Sequence, residues 1–114
     1  VLAQLVGEVD GAMVALLGDS DSGMLLASAG TGLDVEVAAA GTTEFMRAKL
    51  NTMRALKLDG ELEDILVTLS NQYHVIRPLA SNNSVFIYLA LDRAKSNLAM
   101  ARLAVKSAES KISL

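Results

Sequence analysis

The stretch VFIYLAL, residues 85–91, constrains the fold of this chain most strongly, because it has no polar face. A β-strand points alternate side chains to opposite faces of its sheet. A strand that is apolar at every position therefore has to be buried on both faces. The sequence predicts that this segment is the central strand of a sheet and that helices cover the sheet.

Four other apolar runs are predicted to complete the sheet. AMVALL (12–17) and MLLASA (24–29) flank the loop GDSDSG (18–23) and predict a hairpin. ILVTLS (65–70) and YHVIRPLA (73–80) precede the central strand, and Asn-rich segments connect all three. Asparagine tolerates the left-handed backbone angles that tight turns need, so these connections predict antiparallel neighbours.

Three segments have the apolar spacing of helices. The first lies near residues 2–9, the second runs over 34–58 with Asp34 as its N-cap and Gly60 just past its end, and the third runs from Asp92, a candidate N-cap, to about Ile112. The predicted order is α-ββ-α-βββ-α, an α+β fold in which helices cover a five-stranded antiparallel sheet. The length of 114 residues predicts a single domain spanning 1–114.

The second helix carries two apolar stripes where a surface helix needs one. The first stripe comprises Ala38, Gly41, Phe45, Ala48 and Leu56, with Thr52 completing its spacing, and the second comprises Ala39, Met46, Leu50 and Met53. Two stripes predict that the helix is covered on both sides. We expect Phe45 to pack inward, which leaves the second stripe for a protein partner, and the adaptable side chain of methionine suits such a surface.

The loop GDSDSG resembles a ligand-binding loop only superficially. A phosphate-binding P-loop requires Lys and then Ser or Thr after its last glycine, but Met24 and Leu25 follow here. A calcium-binding EF-hand loop that started at Asp19 would need Gly at its sixth position and Glu at its twelfth, and it has neither. The loop is therefore predicted to be a hairpin turn without metal or nucleotide.

The remaining residues that could act in catalysis or metal binding have no suitable partner residues in the sequence. His74 is the only histidine, with no recognisable nucleophile beside it and no second histidine for a metal site. The acidic pair Asp19 and Asp21 and the acidic cluster around Glu61 have no apparent apolar pocket that would raise a carboxyl pKa for acid–base catalysis. The sequence predicts neither an enzyme nor a cofactor site.

The overall charge narrows the classes of partner. A net charge of −3 and a pI near 5.0 argue against binding to nucleic acid or to anionic membranes, which requires a basic face. The chain has no cysteine, which excludes disulfides and thiolate metal sites, and no apolar run long enough to span a membrane. These features predict a cytoplasmic protein.

Two stretches resemble a known family. VDGAMVALLGDSDSGMLLAS (9–28) is similar to the first hairpin of the roadblock/dynein-light-chain family, with its glycine entry, acidic turn and small-residue exit. ILVTLSNQYHVIRPL (65–79) is similar to the third and fourth strands of that family, including the Tyr and the Arg-Pro-Leu close. The order of elements agrees over essentially the whole chain.

The resemblance implies a profilin-like sandwich that forms homodimers. In the family, the third strands of two subunits pair across a two-fold axis and the second helices pack on each other. Carried over here, residues 61–70 form the paired edge. The expected interface residues are Met46, Leu50 and Met53 on the helix and Ile65, Leu66, Val67, Thr68 and Leu69 on the strand.

The family also implies a function. Its members are non-catalytic platforms in dynein light chains and in adaptor complexes that carry Ras-like GTPases, and in bacteria they regulate a small polarity GTPase. No residue here matches an active-site contribution to GTP hydrolysis. We therefore expect a homodimeric platform that binds or regulates a small Ras-like GTPase.

A second hypothesis is a profilin- or PAS-like domain that senses a small ligand. Such a domain needs a pocket into which polar groups converge. The polar candidates on the strands are Tyr88, His74 and Arg77.

Overall fold

A computed structural model describes residues 1–112. Its elements are α1 (Leu2–Glu8), β1 (Ala12–Asp19), β2 (Met24–Gly30), α2 (Val35–Ala55), β3 (Ile65–Thr68), β4 (Gln72–Pro78), β5 (Val85–Asp92), a 3-10 turn (Arg93–Lys95) and α3 (Leu98–Glu109). The predicted order α-ββ-α-βββ-α is confirmed.

The five strands form one antiparallel sheet in the order β2-β1-β5-β4-β3. β5 lies at its centre, and its residues 85–91 are all buried, as their composition predicts. One face, with Ala15, Leu17 and Val75, packs against α1 and α3, whereas the other, with Val14 and Phe86, packs against α2. The molecule is therefore a three-layer sandwich of helices, sheet and helix.

The two predicted helix starts differ in outcome. Asp34 caps α2 by accepting a hydrogen bond from the Val37 N–H at 3.2 Å. Asp92 instead caps only the 3-10 turn, and the prediction that α3 starts there is wrong. α3 begins five residues later, where the Asn97 side chain accepts from the Met100 N–H at 3.0 Å. Asp and Asn are both favoured N-cap residues, so the sequence alone did not show whether α3 begins after Asp92 or after Asn97.

α2 packs chiefly against β1 and β2, and its C-terminal half also reaches the end of β4. We call the end of the sheet that holds the β1–β2 and β4–β5 connections the turn end, and the opposite one the far end. Val35, in the first turn, packs against the cluster beneath α2, which includes Val14 at the far end. The C-terminal half reaches the turn end, where Leu50 and Met53 lie near Leu79.

Candidate protein interface

GDSDSG is the hairpin turn that the sequence predicts. The Asp19 carboxylate accepts from the Asp21 N–H at 3.0 Å and from the Ser22 hydroxyl at 2.9 Å, and Gly23 adopts a φ of 77°. Arg47 of α2 donates to the Asp21 carbonyl and ties the turn to the helix. The Asp19 side chain thus holds its own turn. Within residues 1–112, no three His, Asp or Glu side chains are grouped to hold a metal ion.

His74 belongs to a row of hydrogen bonds on the α2 face of the sheet. Its Nε2 lies 2.8 Å from the Gln72 Oε1, and its Nδ1 lies 3.0 Å from the Tyr88 hydroxyl. The amide oxygen can only accept, so Nε2 carries the hydrogen and Nδ1 accepts from Tyr88. Burial lowers the pKa of His74 and raises the pKa of Tyr88 to about 12. Both groups are therefore neutral at physiological pH.

Arg77 lies on the opposite face of β4. Its Nε donates to the Glu109 carboxylate of α3 at 2.6 Å, and the other oxygen of Glu109 accepts from the Ala80 N–H. The three polar residues on which the ligand-sensing hypothesis depends therefore do not converge, because the sheet separates Arg77 from His74 and Tyr88. Each has its partner within the chain.

The two stripes of α2 exist, but their predicted orientations are reversed. Met46 is fully buried against the sheet with Ala39, so the prediction that it faces a partner is wrong. Leu50 and Met53 continue this inward stripe, half-buried, along a cavity of about 540 Å³ within the same chain. Helical spacing detects both stripes, but it cannot tell which one meets the sheet.

The outer stripe of α2 contains the residues that we expected to be inside. Phe45 is 38% exposed and Leu56 63% exposed, and Val37, near the start of the helix, is 68% exposed. Gly41, Ala48 and Thr52 connect them along an exposed surface. A run of apolar side chains along one exposed face is typical of a protein contact surface. The sequence-based prediction did not include Val37 in this stripe. Val37 lies four residues before Gly41, so extending the helical spacing toward the start of the helix would have included it.

β3 is an edge strand with apolar residues on both faces. Ile65 and Val67 lie half-buried on the α2 face, and Leu66 is 40% exposed on the other. Its ladder with β4 is regular, and its outer edge has no neighbouring strand. The strand ends at Thr68, so Leu69, which is exposed, follows it rather than belonging to it.

The opposite edge of the sheet is shaped differently. β2 pairs with β1 through a register shift, in which Leu17 faces Ala27 and Gly18 faces Leu25. Leu26 is therefore an extra residue in the edge strand, a β-bulge. Bulges bend an edge strand and oppose the addition of another strand. Of the two edge strands, β3 is therefore the one better suited to pair with a strand from another subunit.

Comparisons with known proteins agree with this architecture. No protein-family model matches the chain, and no curated protein sequence does. Among solved structures, a roadblock/LC7 domain from Streptomyces avermitilis is similar with a TM-score of 0.83 and 14% identity, over 96% of this chain and 89% of that one. The structure of Myxococcus xanthus MglB is similar with a TM-score of 0.83 and 20% identity, over 96% of this chain and 86% of that one. A structure described as MglB with a tetrameric arrangement is similar with a TM-score of 0.81 and 18% identity, over 96% of this chain and 80% of that one.

The likeness establishes the fold. The chain has the roadblock fold over nearly its whole length, as the resemblance of its hairpin and strand sequences implies. None of the helices in the described part of the chain is both long and apolar enough to cross a membrane.

Proposed function

We propose that this chain forms a two-fold homodimer that acts in the cytoplasm as a non-catalytic platform for a small Ras-like GTPase. The observation that carries the proposal is the combination of an exposed apolar stripe on α2 with a regular, unpaired edge at β3.

A two-fold axis makes each surface meet its own copy, so one stripe and one edge serve both subunits. Antiparallel pairing of β3 with its copy satisfies the N–H and C=O groups of the free edge and joins two five-stranded sheets into one. The interface then includes Ile65, Leu66, Val67, Thr68 and Leu69, as the family resemblance implies. On the helix we replace Met46, Leu50 and Met53 by the outer stripe with Phe45 and Leu56.

The GTPase partner follows from the family resemblance, because members of the roadblock/dynein-light-chain family carry or regulate Ras-like GTPases. The polar residues support a platform rather than an enzyme. His74, Tyr88, Arg77 and Glu109 are each engaged by another group of the same chain and lie on two different faces of the sheet.

Matched substitutions on the two helical layers test the dimer. Leu56→Asp places a carboxylate in the proposed interface, where loss of water is costly, and the dimer dissociation constant should rise at least about tenfold. Leu103→Asp is the control, because Leu103 is 61% exposed on α3, on the other layer. Light scattering should report a dimer for the parent and for Leu103→Asp. Equal dissociation constants for the two variants would exclude the α2 stripe.

The partner is tested separately. The tagged protein is mixed with lysate of its source cell, with either GDP or a non-hydrolysable GTP analogue present. We expect capture of a Ras-like GTPase that depends on the nucleotide, lost in Leu56→Asp if the platform is the dimer. Purified GTPase that fails to bind the parent dimer with either nucleotide would refute this part of the proposal.

A further inference from the structure

β3 joins the sheet late at the turn end. Its ladder with β4 begins at the pair Ile65 and Ile76, although β4 and the residues after it run further, and the Leu79 N–H still donates to a β5 carbonyl at 2.8 Å. Residues 59–64 lead into β3, and within the described part of the chain, 1–112, none of them makes a backbone–backbone hydrogen bond. We call these residues the strap. The strap and the end of β4 both line the cavity of about 540 Å³.

The side chains of the strap suit a longer β3. Continuing the ladder backward from its first pair sets Asp64 opposite Arg77, Glu63 opposite Pro78, Leu62 opposite Leu79 and Glu61 opposite Ala80. Opposite charges and paired apolar side chains both stabilise antiparallel strands when they face each other. The reason why β3 begins only at Ile65 therefore lies in the backbone of β4 and in what binds to it.

Two features of β4 withdraw the N–H groups that the strap would need. Along a strand, alternate residues direct their N–H and C=O groups to the same side. Leu79 donates to β5, so Pro78 and Ala80 face the strap. Proline has no N–H, and the Ala80 N–H donates to the Glu109 carboxylate of α3. The strap is therefore left without a backbone donor at both positions.

Glu109 also holds the side chain that would face Asp64. Its other carboxylate oxygen accepts from Arg77 Nε at 2.6 Å. Asp64 is bound instead by Arg102 of α3, whose Nε lies 2.5 Å from its carboxylate. One carboxylate thus occupies both the N–H and the guanidinium that the strap would use.

We propose that Glu109 is a latch that keeps the strap away from β4, and that releasing it lets residues 61–64 extend β3. The latched chain has a four-residue β3 and an open cavity, whereas closure brings the strap across the cavity and extends the free edge over 61–68. Charge acts in the same direction, because Glu109 neutralises Arg77 and repels the acidic side chains of the strap, Asp59, Glu61, Glu63 and Asp64. The latch acts within one chain, with or without a second copy.

Amide hydrogen exchange of the full chain, followed residue by residue by NMR, tests the latch. In the parent we expect the amides of Glu61 and Glu63 to be unprotected and that of Ala80 to be protected. Glu109→Ala removes the competing acceptor, so exchange of Glu61 and Glu63 should slow at least about tenfold as both amides gain carbonyl partners on β4. Lys111→Ala, at an exposed position after α3, is the control and should leave these rates unchanged.

A second variant tests the same closure with Glu109 in place. Pro78→Ala supplies the missing N–H opposite Glu63 and should also slow the exchange of the Glu63 amide, by less than Glu109→Ala does.

Three outcomes would overturn the latch. In the first, the Ala80 amide of Glu109→Ala becomes unprotected while Glu61 and Glu63 stay unprotected, which would show that Glu109 merely caps that N–H. In the second, the strap amides are already protected in the parent. In the third, Lys111→Ala slows them as much as Glu109→Ala does. None of these results bears on the homodimer, which is tested by its own dissociation constant.

Discussion

At the scale of single residues, close contacts determine which side chains the core accepts. Gly18 of β1 faces the Phe86 ring, and a Cβ at position 18 would lie 2.3 Å from Phe86 Cζ. Phe86 is fully buried in the cluster beneath α2. In the sequence, Gly18 is indistinguishable from a turn glycine at the start of GDSDSG. Its role in packing appears only when β5 is placed beside β1.

Gly18→Ala should therefore destabilise the fold. The ring cannot move freely within a packed core, and overpacking of this kind typically costs about 1–3 kcal/mol. Chemical denaturation of the variant and the parent measures the difference in unfolding free energy. Gly41→Ala is the control, because a Cβ there meets nothing within 4 Å and alanine favours the helix. Equal stability of Gly18→Ala and the parent would show that Phe86 has room to shift.

Glu109 makes the free energy of unfolding depend on pH in the acid range. Partial burial alone would raise its pKa, but hydrogen bonds from Arg77 and the Ala80 N–H, with the charges of Arg77 and Lys106, give a net lowering. The folded state thus holds the proton less tightly than the unfolded chain does. The stability that ionised Glu109 contributes to the fold is complete above the ordinary carboxyl pKa. It is lost as the pH falls through the lower pKa that Glu109 has in the folded state.

Glu109→Gln should cost about 1–2 kcal/mol of unfolding free energy at neutral pH, because the charge-assisted bonds are lost. The deficit should shrink as the pH is lowered below about 4.5, where the parent loses the same interaction. Urea denaturation of both proteins at neutral and acid pH measures this convergence. A deficit of constant size would show that the charge of Glu109 does not contribute.

At the scale of elements, the sequence predicts what local chemistry and periodicity determine. The order of elements, the central burial of β5 and the hairpin at GDSDSG follow from apolar runs and turn residues. The orientation of α2 does not, because both of its stripes have helical spacing. Contact with the sheet selects the stripe with Ala39 and Met46, and it leaves Phe45 outside.

The start of α3 is also a matter of tertiary context. Asp92 lies in β5 and pairs with Gln72, so the chain must leave the sheet before the helix begins. Asn97→Ala should cost about 1 kcal/mol, because it removes the hydrogen bond to the Met100 N–H. Asn97→Asp retains an acceptor next to the positive end of the helix dipole and should be close to neutral. Thermal unfolding of the two variants tests this, and equal losses would indicate that the cap contributes nothing.

At the scale of the whole molecule, the two edges of the sheet differ in how well each is suited to pair with a second copy. An open edge on both sides would let subunits add indefinitely, whereas the Leu26 bulge blunts β2 and leaves β3 as the regular edge. Pairing through β3 alone closes after two copies. The shapes of the two edges therefore support the closed dimer proposed above rather than a filament.

Leu66→Lys and Leu26→Lys, one on each edge strand, distinguish the edges. Leu66 is 40% exposed and Leu26 49% exposed, so lysine at either position reaches water in a single subunit and should change its unfolding free energy by less than about 0.5 kcal/mol. In the proposed dimer, β3 pairing would bring the two lysines introduced by Leu66→Lys close to the axis, where like charges repel. We expect Leu66→Lys to raise the dissociation constant at least about tenfold and Leu26→Lys to leave it unchanged. The opposite ranking, measured by sedimentation equilibrium, would move the two-fold axis from β3 to β2, because only the edge at the axis brings the two charges together.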